Sequence, residues 1–265
     1  MNSDRGTLGR LPFAAVGAGA VLVVLPGLSP VTGVEGKQTL SGTLGPLASM
    51  TDRRRIVVLN RRRGLPRGMP MADLALEHAD AIRAGLQPPV DIVGTSTGGS
   101  IAQQLAADHP ELVRRLVLIS AACRLGETGI LSQRRVAARI RAGATPEALA
   151  VLAAELVPPG RGQIAAAVLA RAFGARLLRD AGDLGDMATT IEAEDEFDLR
   201  GRPTIQASTL ILAGREDRFY SPALFEETAS LIPHSTLRLF HGRGHITVMR
   251  DPQLRRELST FLAAP

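Results

Sequence analysis

Six short apolar runs recur along the chain: Val21–Leu25, Ile56–Leu59, Val90–Gly94, Arg115–Ser120, Thr209–Ala213 and Thr236–Phe240. Each is of strand length and nearly continuous in apolar side chains, the pattern of a strand buried on both faces. Between them lie stretches with helical spacing. Met71–Leu86 and Pro252–Leu262 carry apolar residues three and four apart. Ser221 followed by Pro222, and Thr145-Pro146-Glu147 ahead of Ala148–Leu156, read as helix starts with a capping hydroxyl and an early proline. Strands alternating with helices predict βαβ units, hence an α/β fold with a mostly parallel twisted sheet and helices on both faces.

The rhythm breaks between the fourth and fifth runs. From Gly126 to Gln206 the chain is rich in Ala, Arg and Leu and offers no strand, over a length far beyond an ordinary loop. It reads as a helical insertion, with Gly143, Pro158-Pro159-Gly160, Gly174 and Gly182 as breaks between short helices. An insertion after a strand's carboxyl end sits over the crevice where open α/β sheets bind ligands, so it is expected to be a cap. The organisation expected is a core from residues 1–125 and 207–265, with the cap over 126–206.

Arg5 and Arg10 followed by the apolar stretch Leu11–Leu28 imitate a signal peptide. The stretch is too short, and too interrupted by Gly17, Gly19, Pro26 and Gly27, for a membrane span, and no cleavage site follows. It is taken as core, and a cytoplasmic protein with no membrane association is expected. The Gly17-Gly19 pair precedes its strand, whereas a dinucleotide phosphate loop must follow one. The chain has 265 residues, a net charge of +5 and 3% aromatics. Arg53-Arg54-Arg55 and Arg61-Arg62-Arg63 bracket a strand and read as solvated strand ends; with no second basic stripe and few stacking aromatics, no nucleic-acid partner is expected. The lone Cys123 excludes an internal disulfide and a cysteine-rich metal site and reads as a buried inert thiol.

The most specific signal is Gly94-Thr95-Ser96-Thr97-Gly98, which follows one strand and opens the helix Ile101–Ala107. In a strand-turn-helix elbow the serine sits on a strained turn with its hydroxyl exposed, and positions two before and two after it admit only very small side chains. The Thr97 amide then lies at a helix N-terminus, where partial positive charge favours a developing oxyanion. A serine nucleophile needs a base, and the base needs an acid to orient it. One later strand ends in Gly214-Arg215-Glu216-Asp217 and the last in His241-Gly242-Arg243-Gly244-His245, so two carboxylates and two imidazoles compete at the same sheet edge.

With these motifs the chain resembles the α/β-hydrolases of the capped serine-esterase type from Leu22 to Leu262, including the Leu25-Pro26-Gly27-Leu28 and Arg63-Gly64 turns and Asp251-Pro252 after His245. The resemblance implies Ser96 as nucleophile, His245 as general base, Asp217 as orienting acid, and the Thr97 and Leu28 amides as the oxyanion hole. It implies no cofactor and no metal. The expected substrate is a small ester-like molecule with an apolar acyl group. Lactone, thioester, carbon–carbon bond hydrolysis and cofactor-free perhydrolysis would use the same residues, and a catalytically silent ligand-binding member is the alternative of another class. Two departures stand out. Pro26 occupies the place where many members have a histidine bracing the oxyanion loop, and Met1–Ala20 looks short for the family's first antiparallel strands, so the edge is expected to be trimmed or completed by a partner, as in a homodimer. His78, His109 and His234 are expected at exposed positions. The acidic run Glu192, Glu194, Asp195, Glu196 and Asp198 is expected on a solvated helix face or paired with arginines rather than around a metal.

Overall fold

The computed structural model describes residues 3–30, 32–35, 37–155, 161–177 and 184–263. Eight strands, β1 (Asp4–Leu8), β2 (Leu11–Val16), β3 (Ala20–Leu25), β4 (Arg54–Leu59), β5 (Val90–Thr95), β6 (Val113–Ile119), β7 (Ser208–Gly214) and β8 (Ser235–Phe240), form one sheet in the order β1-β2-β4-β3-β5-β6-β7-β8. β2 runs antiparallel to β1 and β4, and the remaining neighbours are parallel. The described helices are α1 (Lys37–Leu44), α2 (Met71–Gly85), α3 (Thr97–Asp108), α4 (Glu127–Arg141), α5 (Thr145–Glu155), α6 (Arg161–Leu177), α7 (Gly185–Asp195), α8 (Pro222–Leu231) and α9 (Pro252–Ala263).

Alternate strand residues enter two cores. Val23, Leu25, Ile92, Leu116 and Ile211 pack with Leu74 and Ile82 of α2, Ile101 and Leu105 of α3 and Phe225 of α8. Leu22, Val24, Val93, Val117 and Leu212 pack on the other face with Leu254, Leu258 and Leu262, which recur every fourth residue of α9. The predicted cap at α8 is present, with Ser221 Oγ accepting from the Leu224 amide at 3.3 Å. Three of the helices described between β6 and β7 share a small core, in which Val136 and Ala137 of α4, Ala148 of α5 and Met187, Ala188 and Ile191 of α7 meet, with Leu28 packed against them.

Several expectations are corrected. The amino-terminal sheet edge is not trimmed: β1 and β2 pair in register from Asp4 with Ala15 to Leu8 with Leu11, which removes the reason given for a homodimer. Gly174 lies within α6 and breaks no helix, whereas Gly143, at φ 74°, does separate α4 from α5. Pro158-Pro159-Gly160 and Gly182 lie outside the described residues. The basic runs are not uniformly solvated strand ends: Arg61 is 2% exposed, and Arg54 donates to the buried Asp91 at 2.8 Å across the sheet. His78 is not exposed; it is buried on α2 with Nδ1 2.7 Å from the Leu74 carbonyl, and burial pushes its pKa down to about 4. His109 is half-buried, its Nδ1 3.1 Å from Arg83 Nη2, and His234 is exposed.

Candidate active site

Ser96 stands between β5 and α3 at φ 51° and ψ −125°, a conformation that costs a non-glycine residue on the order of 1–3 kcal/mol. The glycines around it are set by contact. A Cβ on Gly98 would stand 2.1 Å from the Leu25 carbonyl oxygen, and one on Gly94 would stand 2.6 Å from that of Gly98. Strand end and helix start can approach this closely only without side chains there, and that approach turns the serine outward. The Ser96 amide donates to the Ile119 carbonyl at 2.9 Å, tying the elbow to β6.

His245 reaches the serine from the loop after β8, with Nε2 2.9 Å from Ser96 Oγ and Nδ1 2.8 Å from Asp217 Oδ2. Of the two competing carboxylates and imidazoles, these are the ones brought together. Glu216 and His241 are exposed, and Glu216 Oε1 instead accepts from the Gly242 amide at 3.0 Å. The Asp217 side chain is fully shielded, and its other oxygen accepts from the Phe219 and Tyr220 amides at 2.9 and 3.2 Å. A carboxylate fixed by backbone donors on one oxygen keeps the other for the imidazole, which selects the tautomer with the proton on Nδ1 and the Nε2 lone pair facing the serine. The Phe219 ring packs beside the imidazole, with centroids 4.7 Å apart.

Ser120, at the end of β6 and at φ 49°, donates from Oγ to the His245 carbonyl at 2.8 Å. Nothing in its local sequence marks it, because its role depends on a loop 125 residues away.

Thr97 is the first residue of α3, so its amide is one of the N–H groups that lack an acceptor within a helix. Leu28 lines the same cavity as Ser96. Pro26 leaves the loop between them without a histidine brace, and Arg61 supplies another. From the end of β4 its guanidinium donates to the Gly27 carbonyl at 2.9 Å and the Pro26 carbonyl at 3.3 Å. Burial pushes the Arg61 pKa down to about 10, with the negative charge of Glu194 acting the other way.

Glu194 overturns the expectation of a solvated face. It is fully buried, and four donors converge on it: Thr97 Oγ1 at 2.6 Å, Ser100 Oγ at 2.9 Å, Gln133 Nε2 at 3.0 Å and the Tyr220 hydroxyl at 3.3 Å. Of the rest of the acidic run, Glu192 pairs with Arg141, Asp195 with Arg134 and Asp198 with Arg200, and Glu196 is exposed. One signal was in the sequence: Glu194 follows Met187 by seven residues and Ile191 by three, on the buried face of α7.

The cavity beside Ser96 holds about 310 Å³. Leu28, Leu47, Ile119, Leu152, Phe219 and Met249 supply apolar wall, and no arginine or lysine among the described residues lines it. Cys123 is buried elsewhere, and desolvation pushes its thiol pKa up. Among the described residues no three His, Cys, Asp or Glu side chains cluster to hold a metal ion, and no helix is long and apolar enough to cross a membrane.

Residues 10–256 match the model of the alpha/beta hydrolase family. The chain belongs to the alpha/beta hydrolase family. This alpha/beta hydrolase is 30% identical over 206 residues to 2-hydroxymuconate semialdehyde hydrolase of Pseudomonas putida, covering 71% of this chain and 68% of the relative. It is also 30% identical over 244 residues to polyketide synthase ThaQ of Burkholderia thailandensis; that match covers 86% of this chain but only 11% of the synthase's length. Among solved structures, the enol-lactonase from Burkholderia xenovorans LB400 shares the fold with a TM-score of 0.77 at 21% identity, over 98% of this chain and all 100% of the other. The family and the semialdehyde hydrolase support hydrolase activity at that general level.

Proposed function

We propose that this alpha/beta hydrolase cleaves carboxylic esters of small or medium apolar acyl groups through an acyl-enzyme on Ser96. The observation that carries the reading is the continuous hydrogen-bonded relay from Ser96 Oγ through the His245 imidazole to Asp217, opening on an apolar cavity.

As Ser96 Oγ attacks the ester carbonyl, its proton passes to His245 Nε2 and an oxyanion forms near the Thr97 and Leu28 amides. Collapse breaks the bond to the leaving alkoxide, which takes the proton from Nε2 and departs as the alcohol. Water then adds to the acyl-enzyme, giving its proton to Nε2; collapse returns that proton to Ser96 Oγ and releases the acid. Asp217 steadies the imidazolium in both halves. The helices between β6 and β7 act as a cap, Gln133 of α4 and Leu152 of α5 contributing to the cavity wall. A wall without arginine or lysine suits an uncharged substrate.

Two measurements test the reading together. Wild type should hydrolyse short-chain p-nitrophenyl esters and react covalently with a fluorophosphonate probe at Ser96, and Ser96→Ala should lose both while keeping its circular dichroism and melting temperature. Turnover retained in Ser96→Ala refutes the nucleophile. A wild type that neither labels nor turns over any ester, lactone or thioester refutes the enzyme and leaves a ligand-binding member of the fold.

A further inference from the structure

Among the described residues, two that are not glycine hold a positive φ: Ser96 at 51° and Ser120 at 49°. They occupy matching places, each one residue past Thr95 and Ile119, the last paired residues of the neighbouring strands β5 and β6. Glycine enters this backbone region freely, whereas a side chain makes it costly, and strain of this kind persists where the surrounding structure insists on it. For Ser96 the reason is the elbow. A glycine in place of Ser120 would relieve the strain but would carry no hydroxyl.

That hydroxyl is fully buried and makes a specific bond. The Ser120 amide closes the strand by donating to the Leu212 carbonyl of β7 at 2.9 Å, and Oγ then donates to the His245 carbonyl at 2.8 Å. The residue before it, Ile119, accepts from the Ser96 amide at 2.9 Å. Two consecutive residues therefore hold the main chains of the proposed nucleophile and the proposed base. The loop that carries His245 has other ties, from the Arg243 carbonyl to the Glu216 amide at 2.9 Å and from the Gly244 carbonyl to the Val248 amide at 3.2 Å. Among the described residues no main-chain N–H donates to the His245 carbonyl itself, so the Ser120 hydroxyl is what ties that residue's backbone to the strand beside the elbow.

We propose that Ser120 is a positioning residue, whose hydroxyl sets the main chain of His245 so that Nε2 meets Ser96 Oγ at 2.9 Å. The proposal rests on the esterase reading above and adds to it a residue that does not line the cavity and touches no reacting atom. Asp217 holds the imidazole at Nδ1 only; with its carbonyl released, the histidine is free to pivot about that bond and carry Nε2 away from the serine. Proton transfer depends on this alignment, and a misplacement of about 1 Å can cost about 100-fold in rate.

The test uses two variants and a control, assayed with p-nitrophenyl esters and with a fluorophosphonate probe. Ser120→Ala keeps the strained backbone and loses the hydroxyl, and Ser120→Gly loses both. Ser235→Ala removes a bond of the same kind, from Ser235 Oγ to the Ala229 carbonyl at 2.9 Å, at the start of β8. Both Ser120 variants should lower kcat by about 10–100-fold with KM within about twofold of wild type, and should slow labelling of Ser96 in parallel. Ser120→Gly should melt no lower than Ser120→Ala, because glycine holds this φ without strain. Ser235→Ala should keep the wild-type kcat. A kcat within twofold of wild type in either Ser120 variant overturns the proposal, as does an equal fall in Ser235→Ala. A variant that fails to fold, or whose kcat falls only with its unfolded fraction, also overturns it, since the hydroxyl would then hold the fold and not the base. Each of these leaves Ser96-dependent turnover by wild type standing. Wild type that hydrolyses no ester, or no faster than Ser96→Ala, instead overturns the esterase reading and this proposal with it.

Discussion

Replacing Arg61 by methionine keeps most of the side chain's length and removes the guanidinium beneath the Pro26-Gly27 turn. Two hydrogen bonds are lost, at 2.9 Å to Gly27 and 3.3 Å to Pro26. Bonds to charged groups contribute about 1.5–3 kcal/mol each, the longer one here at or below the low end, so the gross loss is about 2–4 kcal/mol. Against this, burial, partly offset by the Glu194 charge, lowers the Arg61 pKa from 12.5 to about 10, a net cost of about 3 kcal/mol on the charged form that methionine does not bear. The terms largely offset, and a net change within about 2 kcal/mol is expected, as when buried ionic groups give way to apolar ones of similar volume.

The rate has no such offset. The carbonyls that Arg61 holds precede Leu28, whose amide is the proposed second oxyanion donor, and complete loss of one such donor costs about 2.7–4 kcal/mol. A loosened rather than deleted donor should lower kcat by about 10–100-fold with KM little changed, because the interaction is made only in the transition state. Arg61→Lys, which keeps the charge but not the planar fork, should fall between. The assay is p-nitrophenyl ester kinetics beside urea unfolding on the same preparations. A kcat for Arg61→Met within twofold of wild type would refute the brace, and a drop that merely tracks the unfolded fraction would refute it too.

His78 is held neutral in the fold with its pKa lowered from 6.5 to about 4, so the unfolded chain binds the extra proton between those values. The stability of wild type should therefore fall as pH drops from about 6.5 to about 4, by about 3 kcal/mol from this group, and His78→Gln should flatten that part of the urea-denaturation profile; an unchanged slope defeats the assignment. Gly98→Ala forces a Cβ against the Leu25 and Pro26 backbone oxygens at 2.1 and 2.6 Å, and should cost at least about 1–3 kcal/mol in thermal unfolding, together with most of the activity. A normal melting temperature and rate would show that the close approach is not rigid. Asp217→Asn should lower kcat by about 10⁴-fold without loss of fold, while Glu216→Gln stays near wild type; the reverse pattern would reassign the acid.

How much of this could be read from the chain depends on how far the cause of each feature extends. Parallel strands buried on both faces need unbroken apolar runs, and six of the eight strands were legible for that reason. β1, Asp4–Leu8, lies at the solvent edge with four exposed residues, and β2 merges into the apolar stretch that leads to β3, so neither stood out. The serine elbow was legible because its steric demand falls within five consecutive residues. Arg61 and Glu194 were misread because charged residues are rarely buried, and what buries them comes from elsewhere: a turn 34 residues upstream for one, and donors from α3, α4 and the segment before α8 for the other.

These two misread residues also qualify the view of the inserted helices as a separable roof. Glu194 belongs to the insertion, yet two of its four donors are side chains of the first turn of α3, and one of those is Thr97, whose amide is the candidate oxyanion donor. Arg61 follows β4 on the sheet side of the molecule, yet it grips the turn that carries Leu28, the residue packed against the insertion's own core. An insertion joined to its sheet only through apolar contact could shift to suit a new ligand without touching the elbow. Here a shift of α7 would have to break charge-assisted bonds to Ser100 and to Thr97, the neighbour of the proposed nucleophile, each stronger than an ordinary hydrogen bond and costly to leave unmade in a buried setting. Cavity shape and oxyanion geometry are thus mechanically joined through one carboxylate, and changes in the helices that size the cavity should register in kcat as well as in KM.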